Sequence, residues 1–156
     1  MRRLLLALAG LAVLTGCGGP GGVACPAMAA RAGIGLEIEA PLAAKVAKAT
    51  LDGKDVVLDE STAAVPSTCP SGKPEQACSA QLVRTGAKNG FLDQAGLKLE
   101  PMRLSLRLTD AAGVVLVEQD VQLTPKEVFP AGAHCGGGQP QAGVIVAADG
   151  AVRQRP

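Results

Sequence analysis

The most regular feature of the chain is a strict alternation of apolar and polar positions over residues 102–109. The apolar side chains are separated by arginine, serine and threonine, and this period of two places them on one face of a half-buried strand. A short turn-forming stretch follows at 110–113, and residues 114–124 continue the alternation. The two runs therefore predict a β-hairpin. Its buried residues should include Leu104, Leu106, Leu108, Val115, Val117 and Val121.

Shorter strands are predicted on both sides of this hairpin, at residues 36–40, 49–51, 56–58, 79–85 and 143–148. The second and third of these flank Asp52-Gly53, a pair that favours the positive φ of a type I′ hairpin turn. The last is followed by a similar pair, Asp149-Gly150. We expect loops at residues 87–96 and 125–141.

One segment fits two structures. Leu42, Val46 and Ala49 lie at helical spacing, and the alanines and lysines between them favour a helix. We predict a strand for the second half of residues 42–49, because the Asp52-Gly53 turn requires paired strands on both sides. A short helix in this segment is the alternative.

These patterns predict about seven strands joined by frequent turns, which is typical of a small antiparallel β-sandwich. The predicted fold class is therefore all-β. The arrangement resembles the immunoglobulin-like and transthyretin-like sandwiches of extracellular proteins, but only in the number of strands. The resemblance therefore implies no function.

The N-terminus has the organisation of an export signal. Arg2 and Arg3 precede an unbroken apolar stretch at 4–13, which is shorter than the roughly 20 residues that a membrane-spanning helix needs. The stretch ends in Leu14-Thr15-Gly16-Cys17, which resembles the lipobox of bacterial lipoproteins. The resemblance covers the first seventeen residues. It implies cleavage between Gly16 and Cys17 and attachment of lipid to Cys17; the alternative is an ordinary signal peptide.

This interpretation divides the chain into a signal peptide at 1–16, a lipidated cysteine with a flexible Gly/Pro-rich tether at 17–32, and a sandwich-like domain at 33–156. We expect the protein on the extracytoplasmic face of the cell membrane, or at the outer membrane if its source has two. The chain has 15 basic and 14 acidic residues. This balance predicts no nucleic-acid partner, and without a basic run the lipid must provide the anchor.

Four cysteines remain after Cys17 is assigned to lipid, and an even number outside the cytoplasm predicts two disulfides. We favour Cys69 with Cys78, because the segment between them is polar and rich in turn formers, and consequently Cys25 with Cys135. The alternative is a metal site in which Cys25, Cys135 and His134 are ligands. No pair has the two-residue spacing of a zinc knuckle, so we predict neither a metal site nor a cofactor.

His134 is the single histidine, so any Ser-His-Asp or Cys-His mechanism must use it. The sequence His134-Cys135-Gly136-Gly137-Gly138 resembles the glycine-rich oxyanion loop of lipases, but the chain contains no Gly-x-Ser-x-Gly nucleophile motif. Glu37 and Glu39 share one face of a predicted strand and could pair their carboxylates, although a solvated strand face also explains them. We therefore predict no catalytic residue.

Aromatic residues are scarce: the chain has no Trp, no Tyr and two Phe. Because ligand rings generally stack on aromatic side chains, we do not expect polysaccharide binding. The sequence predicts a membrane-tethered, non-catalytic accessory domain that contacts an envelope protein or a small ligand. The alternatives are an envelope enzyme that uses His134 and a lipid carrier with an enclosed apolar cavity.

Overall fold

The structure is a computed structural model that describes residues 24–65 and 81–155, and within these residues it is almost entirely β. The helical elements are one turn of α-helix, α1 (Leu42–Lys45), and a 3₁₀ turn, Ala133–Cys135. The strands are β1 (Gly33–Ile38), β2 (Lys48–Leu51), β3 (Lys54–Val56), β4 (Leu58–Val65), β5 (Gln81–Asp93), β6 (Met102–Thr109), β7 (Val115–Leu123), β8 (Lys126–Val128), β9 (Gln139–Val146) and β10 (Val152–Gln154).

The strands form two sheets. One has six strands in the order β10-β9-β1-β5-β4, with β8 also paired to β9, and the other has four in the order β3-β2-β6-β7. The all-β prediction is therefore confirmed, and the described strands exceed the predicted number because short strands such as β8 and β10 pair with β9. The purely antiparallel prediction is wrong at one pair, since β1 runs parallel to β9. These two strands are far apart in sequence, so no tight turn forces them to be antiparallel.

The core lies between the two sheets and consists of aliphatic side chains. The inward face of β1 meets that of β6, where Leu104, Leu106 and Leu108 are fully buried. Gly90 on β5 leaves space for this packing, because a Cβ at that position would lie 2.6 Å from Cγ1 of Val56. Such contacts between the sheets are the main source of stability in a domain of this kind.

The predicted hairpin is confirmed as β6 and β7, but one of the residues predicted to be buried, Val115, is exposed. Val121 is buried and Val117 is partly buried, whereas Val115 is 39% exposed. The register shifts at this end of the pair, so that Leu108 lies opposite Val117 but Thr109 lies opposite Val115. Opposed residues share a face of the sheet, and the shift therefore moves Val115 to the outer face beside Thr109.

The ambiguous segment contains both of the structures considered. Its first half is the helix α1 and its second half begins strand β2, so the strand prediction for that half is confirmed. The following turn is also as predicted, with positive φ at Asp52 (48°) and Gly53 (74°). Lys88 on the opposite sheet supports the connection, because its Nζ donates to the backbone oxygen of Val46 at 2.6 Å.

Both predicted loops contain strands. Strand β5 continues through residues 87–93, because it lies between β1 and β4 and its backbone pairs with both. This pairing overrides the weak strand propensity of its Gly, Asn and Lys residues. In residues 125–141, β8 pairs with the beginning of β9, while the 3₁₀ turn and its flanking residues form a loop as expected.

Candidate functional site

Several contacts fix the entry of the chain to one end of the sandwich. The predicted Cys25–Cys135 disulfide is present and joins residues that are 110 positions apart. Nε2 of Gln141 donates to the backbone oxygen of Arg31 at 2.8 Å, and the backbone nitrogen of Gln94 donates to Ala32 at 3.0 Å. We call this end, which includes the disulfide, the beginnings of β1 and β9 and the end of β5, the tether end.

Both phenylalanines lie near the tether end, and each ring covers a glycine. A Cβ at Gly33 would lie 2.6 Å from Cε1 of Phe91, and one at Gly138 would lie 2.8 Å from Cδ1 of Phe129. The guanidinium of Arg31 also lies over the Phe91 ring, 4.7 Å from its centroid. The two aromatic rings therefore pack against the protein's own backbone, and the Phe91 ring also makes a cation–π contact with Arg31.

The side chain of His134 lies on the 3₁₀ turn and is exposed. Its ring folds back over Gly132, whose φ is +89° and where a Cβ would lie 2.7 Å from ring atom Cε1. Among residues 24–65 and 81–155, no side-chain hydrogen bond joins the imidazole to a hydroxyl or carboxylate. A hydrolase mechanism needs such a nucleophile and orienting group around its base, and the described residues do not assemble them here.

The groups that do surround His134 are sulfur atoms. The imidazole and the Sγ atoms of Cys25 and Cys135 all lie within 4.8 Å of one another. In this state the two sulfurs are bonded to each other. While this disulfide is intact, they cannot act as thiolate ligands of a metal ion.

The two glutamates considered as a carboxylate pair have different surroundings. Oε1 of Glu39 lies 3.5 Å from Nη2 of Arg153, so this carboxylate forms an ion pair. Glu37 lies in the ladder between Asn89 on β5 and Ile145 on β9, and it is partly buried. The outer face of the sheet thus accommodates both residues without joining them as a catalytic pair.

At the opposite end, strands β4 and β5 continue beyond the sandwich as a two-stranded ladder. Residues 62–65 pair with residues 81–84, and we call these eight residues the distal arm. Its apolar side chains are exposed: Leu82 by 69%, Val83 by 44% and Val65 by 41%. At about 3.3 Å per residue, the arm adds about 10 Å to the length of the sheet.

A bulge marks the junction between the distal arm and the sandwich. The register shifts between Glu60 and Thr62, and Gly86 has a φ of +78° in the bulged part of β5. Two side-chain hydrogen bonds to Ser61 stabilise the bulge. Oγ1 of Thr85 donates to the backbone oxygen of Ser61 at 3.1 Å, and Nδ2 of Asn89 donates to Oγ of Ser61 at 2.9 Å. Bulges of this kind redirect a strand and are designed features of sheets.

The distal arm was not predicted as a ladder, although a strand was expected at residues 79–85. Two short apolar stretches, residues 63–65 and 82–83, flank the segment that contains Cys69 and Cys78. If that pair closes a local loop, the flanking stretches are brought side by side, and this signal could have predicted the ladder.

The clefts on the described surface include four with volumes of about 370, 250, 160 and 90 Å³. Each has at least one lysine or arginine in its lining. The first lies on the outer face of the four-stranded sheet and is lined by Lys48, Thr50, Gly53, Arg107 and Thr109. These clefts do not resemble the enclosed apolar cavity that a lipid carrier requires.

Ion pairs cover the outer face of the same sheet. Lys48 Nζ lies 3.0 Å from Asp55, and Arg107 Nη1 lies 3.7 Å from Glu118. All four side chains are largely exposed. Ion pairs therefore occupy part of the outer face of the four-stranded sheet, whereas the exposed side chains of the distal arm are mainly apolar or uncharged.

Several predicted positions lie outside the described residues: the cleavage site at Gly16, the lipidated Cys17, and the cysteines Cys69 and Cys78. The second disulfide and the anchor therefore stay predictions. Within the described residues, no helix combines the length and the apolar character needed to cross a bilayer. No protein-family model, curated protein or solved structure matches the chain.

Proposed function

We propose that this chain is a lipid-anchored, non-catalytic accessory module of the bacterial envelope that contacts another envelope protein through its distal arm. The observation that carries the proposal is the position of the arm. The entry of the chain is fixed at the tether end, and exposed apolar side chains extend beyond the opposite end of the same sheet.

The short tether limits where the module can act. Seven residues, most of them glycine, separate Cys17 from Cys25, and a flexible chain of that length spans roughly 15 Å on average. A lipid on Cys17 would therefore keep the tether end near the membrane. More than one acyl chain is needed for a lasting anchor, and lipoprotein processing supplies it.

The surface of the distal arm fits a protein partner better than a charged ligand. Its one charged side chain, Arg84, already forms an ion pair with Glu60, with Nε 2.9 Å from Oε2. Val83 and Val65 lie on one face of the arm and Leu82 lies on the other, so both faces present exposed apolar side chains, which mark contact surfaces in soluble domains. In addition, β4 is the last of the described strands in the order of its sheet, and an edge of this kind offers backbone groups to an added strand.

The anchor is tested by Cys17→Ser in the producing cell. We expect this variant to lose incorporation of a labelled fatty acid and to accumulate unprocessed or in the medium, because the lipobox thiol is the acceptor. A Cys69→Ser variant serves as the matched control and should retain both lipid and membrane association. Recovery of the Cys17→Ser protein in the membrane fraction at mature size would contradict the proposed anchor.

The contact surface is tested by photo-crosslinking in native membranes. A crosslinking residue at Leu82 on the distal arm should form adducts with a discrete protein, whereas one at Gln122, which is exposed on the four-stranded sheet, should not. Mass spectrometry of the adducts distinguishes protein from lipid. Equal adducts from both positions, or only lipid adducts from Leu82, would refute a protein contact at the arm.

A further inference from the structure

The Cys25–Cys135 disulfide is not protected by the core. Cys25 is exposed and Cys135 is partly buried, and the adjacent His134 is exposed. Small reductants can therefore reach the sulfur atoms. Exposed disulfides are commonly easier to reduce than structural disulfides.

Reduction would leave three metal-binding groups at one place. The Sγ atoms and the imidazole nitrogen lie within 4.8 Å of one another. In a tetrahedral zinc site with Zn–S near 2.3 Å and Zn–N near 2.0 Å, neighbouring ligand atoms are about 3.5 Å apart. The three groups thus need only small adjustments to share one ion. Two thiolates and an imidazole are also the ligand types that zinc prefers.

Contacts other than the disulfide keep these groups together. Arg31 and Ala32, which follow Cys25 closely in the chain, are held by their hydrogen bonds to Gln141 and Gln94. A short segment attached in this way keeps Cys25 at a high effective concentration near Cys135. The ring of His134 packs closely over Gly132, and a side chain at position 132 would clash with the ring.

We propose that reduction converts this disulfide into a zinc-class metal site formed by Cys25, Cys135 and His134, with a fourth position open to solvent. An external dithiol supplies two electrons and two protons: the Cys25–Cys135 bond breaks, two thiols form, and the dithiol closes to its own disulfide. Binding of Zn²⁺ then displaces one proton from each thiol to solvent. The oxidised and metal-bound states are mutually exclusive, because both use the same sulfur atoms.

The test uses the full-length chain in detergent with Cys17→Ser, Cys69→Ser and Cys78→Ser, so that the two cysteines of the site are the only thiols. The protein is reduced with dithiothreitol, freed of it by gel filtration without oxygen, and titrated with Co²⁺ as a spectroscopic substitute for Zn²⁺. We expect one equivalent to bind, with a thiolate-to-cobalt charge-transfer band and the visible bands of tetrahedral cobalt. The oxidised protein should show neither.

His134→Asn should weaken cobalt binding by about tenfold or more, and Lys126→Asn, at the same end of the sandwich, should leave it unchanged. Far-UV circular dichroism follows the fold during the titration. The proposal is overturned if the reduced protein shows no such bands, if His134→Asn binds cobalt as well as the parent, or if reduction alone abolishes the β signal, since the fold would then not assemble the ligands.

Discussion

The sandwich body and the distal arm share strand β5, yet the same kinds of residue behave differently in the two regions. Leu92, near the tether end of β5, packs against the core, whereas Leu82, in the arm, is exposed. The difference does not lie in the strand itself, because both stretches are extended and paired. It arises because a second sheet covers the body, whereas none of the strands in residues 24–65 and 81–155 covers the arm.

The contrast separates the residues that stabilise the fold from those that are exposed for binding a partner. In the body, apolar side chains are removed from water, which stabilises the fold. A two-stranded ladder has no core of its own and is marginally stable in isolation. The arm instead depends on the body, through β5 and through the side-chain hydrogen bonds of its bulge. Changes in the body should therefore affect unfolding, and changes in the arm should affect binding.

The largest expected effect compares the two predicted disulfides. Removing the body bridge with Cys25→Ala/Cys135→Ala should cost up to about 4 to 5 kcal/mol of unfolding free energy in the chain-entropy model, because it closes the longer loop. Removing the predicted local pair with Cys69→Ala/Cys78→Ala should cost at most roughly 2.7 kcal/mol, because it closes the shorter loop. Non-reducing peptide mapping gives the connectivity and urea unfolding gives the ranking. Crossed pairs, or equal losses, would refute this prediction.

The next effect compares one leucine from each region. Leu106→Ala empties a fully buried position and should lower the free energy of unfolding by about 2 to 5 kcal/mol. Leu82→Ala removes the same atoms from the exposed arm and should change it by no more than about 0.5 kcal/mol. Chemical denaturation of both variants measures the difference. A large loss at Leu82 would show that the arm is packed rather than free for contact.

A smaller effect concerns the connection between the sheets at the end nearest the arm. Lys88→Met keeps the aliphatic stem but leaves the Val46 carbonyl without its ammonium donor, and we expect a loss of about 1 to 3 kcal/mol. Lys98→Met, at an exposed position, is the matched control and should be nearly neutral. Thermal unfolding of the two variants decides the matter, and similar midpoints would argue against a stabilising role for Lys88.

The smallest effect is expected on the outer face of the four-stranded sheet. The Arg107–Glu118 pair is largely exposed, so a double-mutant cycle with Arg107→Ala and Glu118→Ala should give a coupling of about 0.2 to 1 kcal/mol that decreases in high salt. A coupling that is larger and insensitive to salt would mean that this face is less solvated than its exposure indicates.

Part of the candidate site could be predicted from the sequence. The even number of cysteines and the polar segment between Cys69 and Cys78 led to the Cys25–Cys135 pairing, which is confirmed. The sequence also singled out His134 as the one histidine near these cysteines. It did not show that the three side chains meet, nor that the His134 ring rests on Gly132, because both depend on how the first and last parts of the chain are brought together.

The sequence by itself determined the local structure wherever the pattern was strictly local. Alternation over 102–109 defined the inward face of β6, and Asp52-Gly53 defined a turn, because side-chain direction and positive φ are properties of a few adjacent residues. The tertiary structure decided what depends on distant neighbours. Pairing with two other strands made residues 87–93 a strand, and the register shift moved Val115 to the outer face. No strand of the described part of the chain covers the arm, and Leu82 is exposed there, because burial depends on which element packs against a strand.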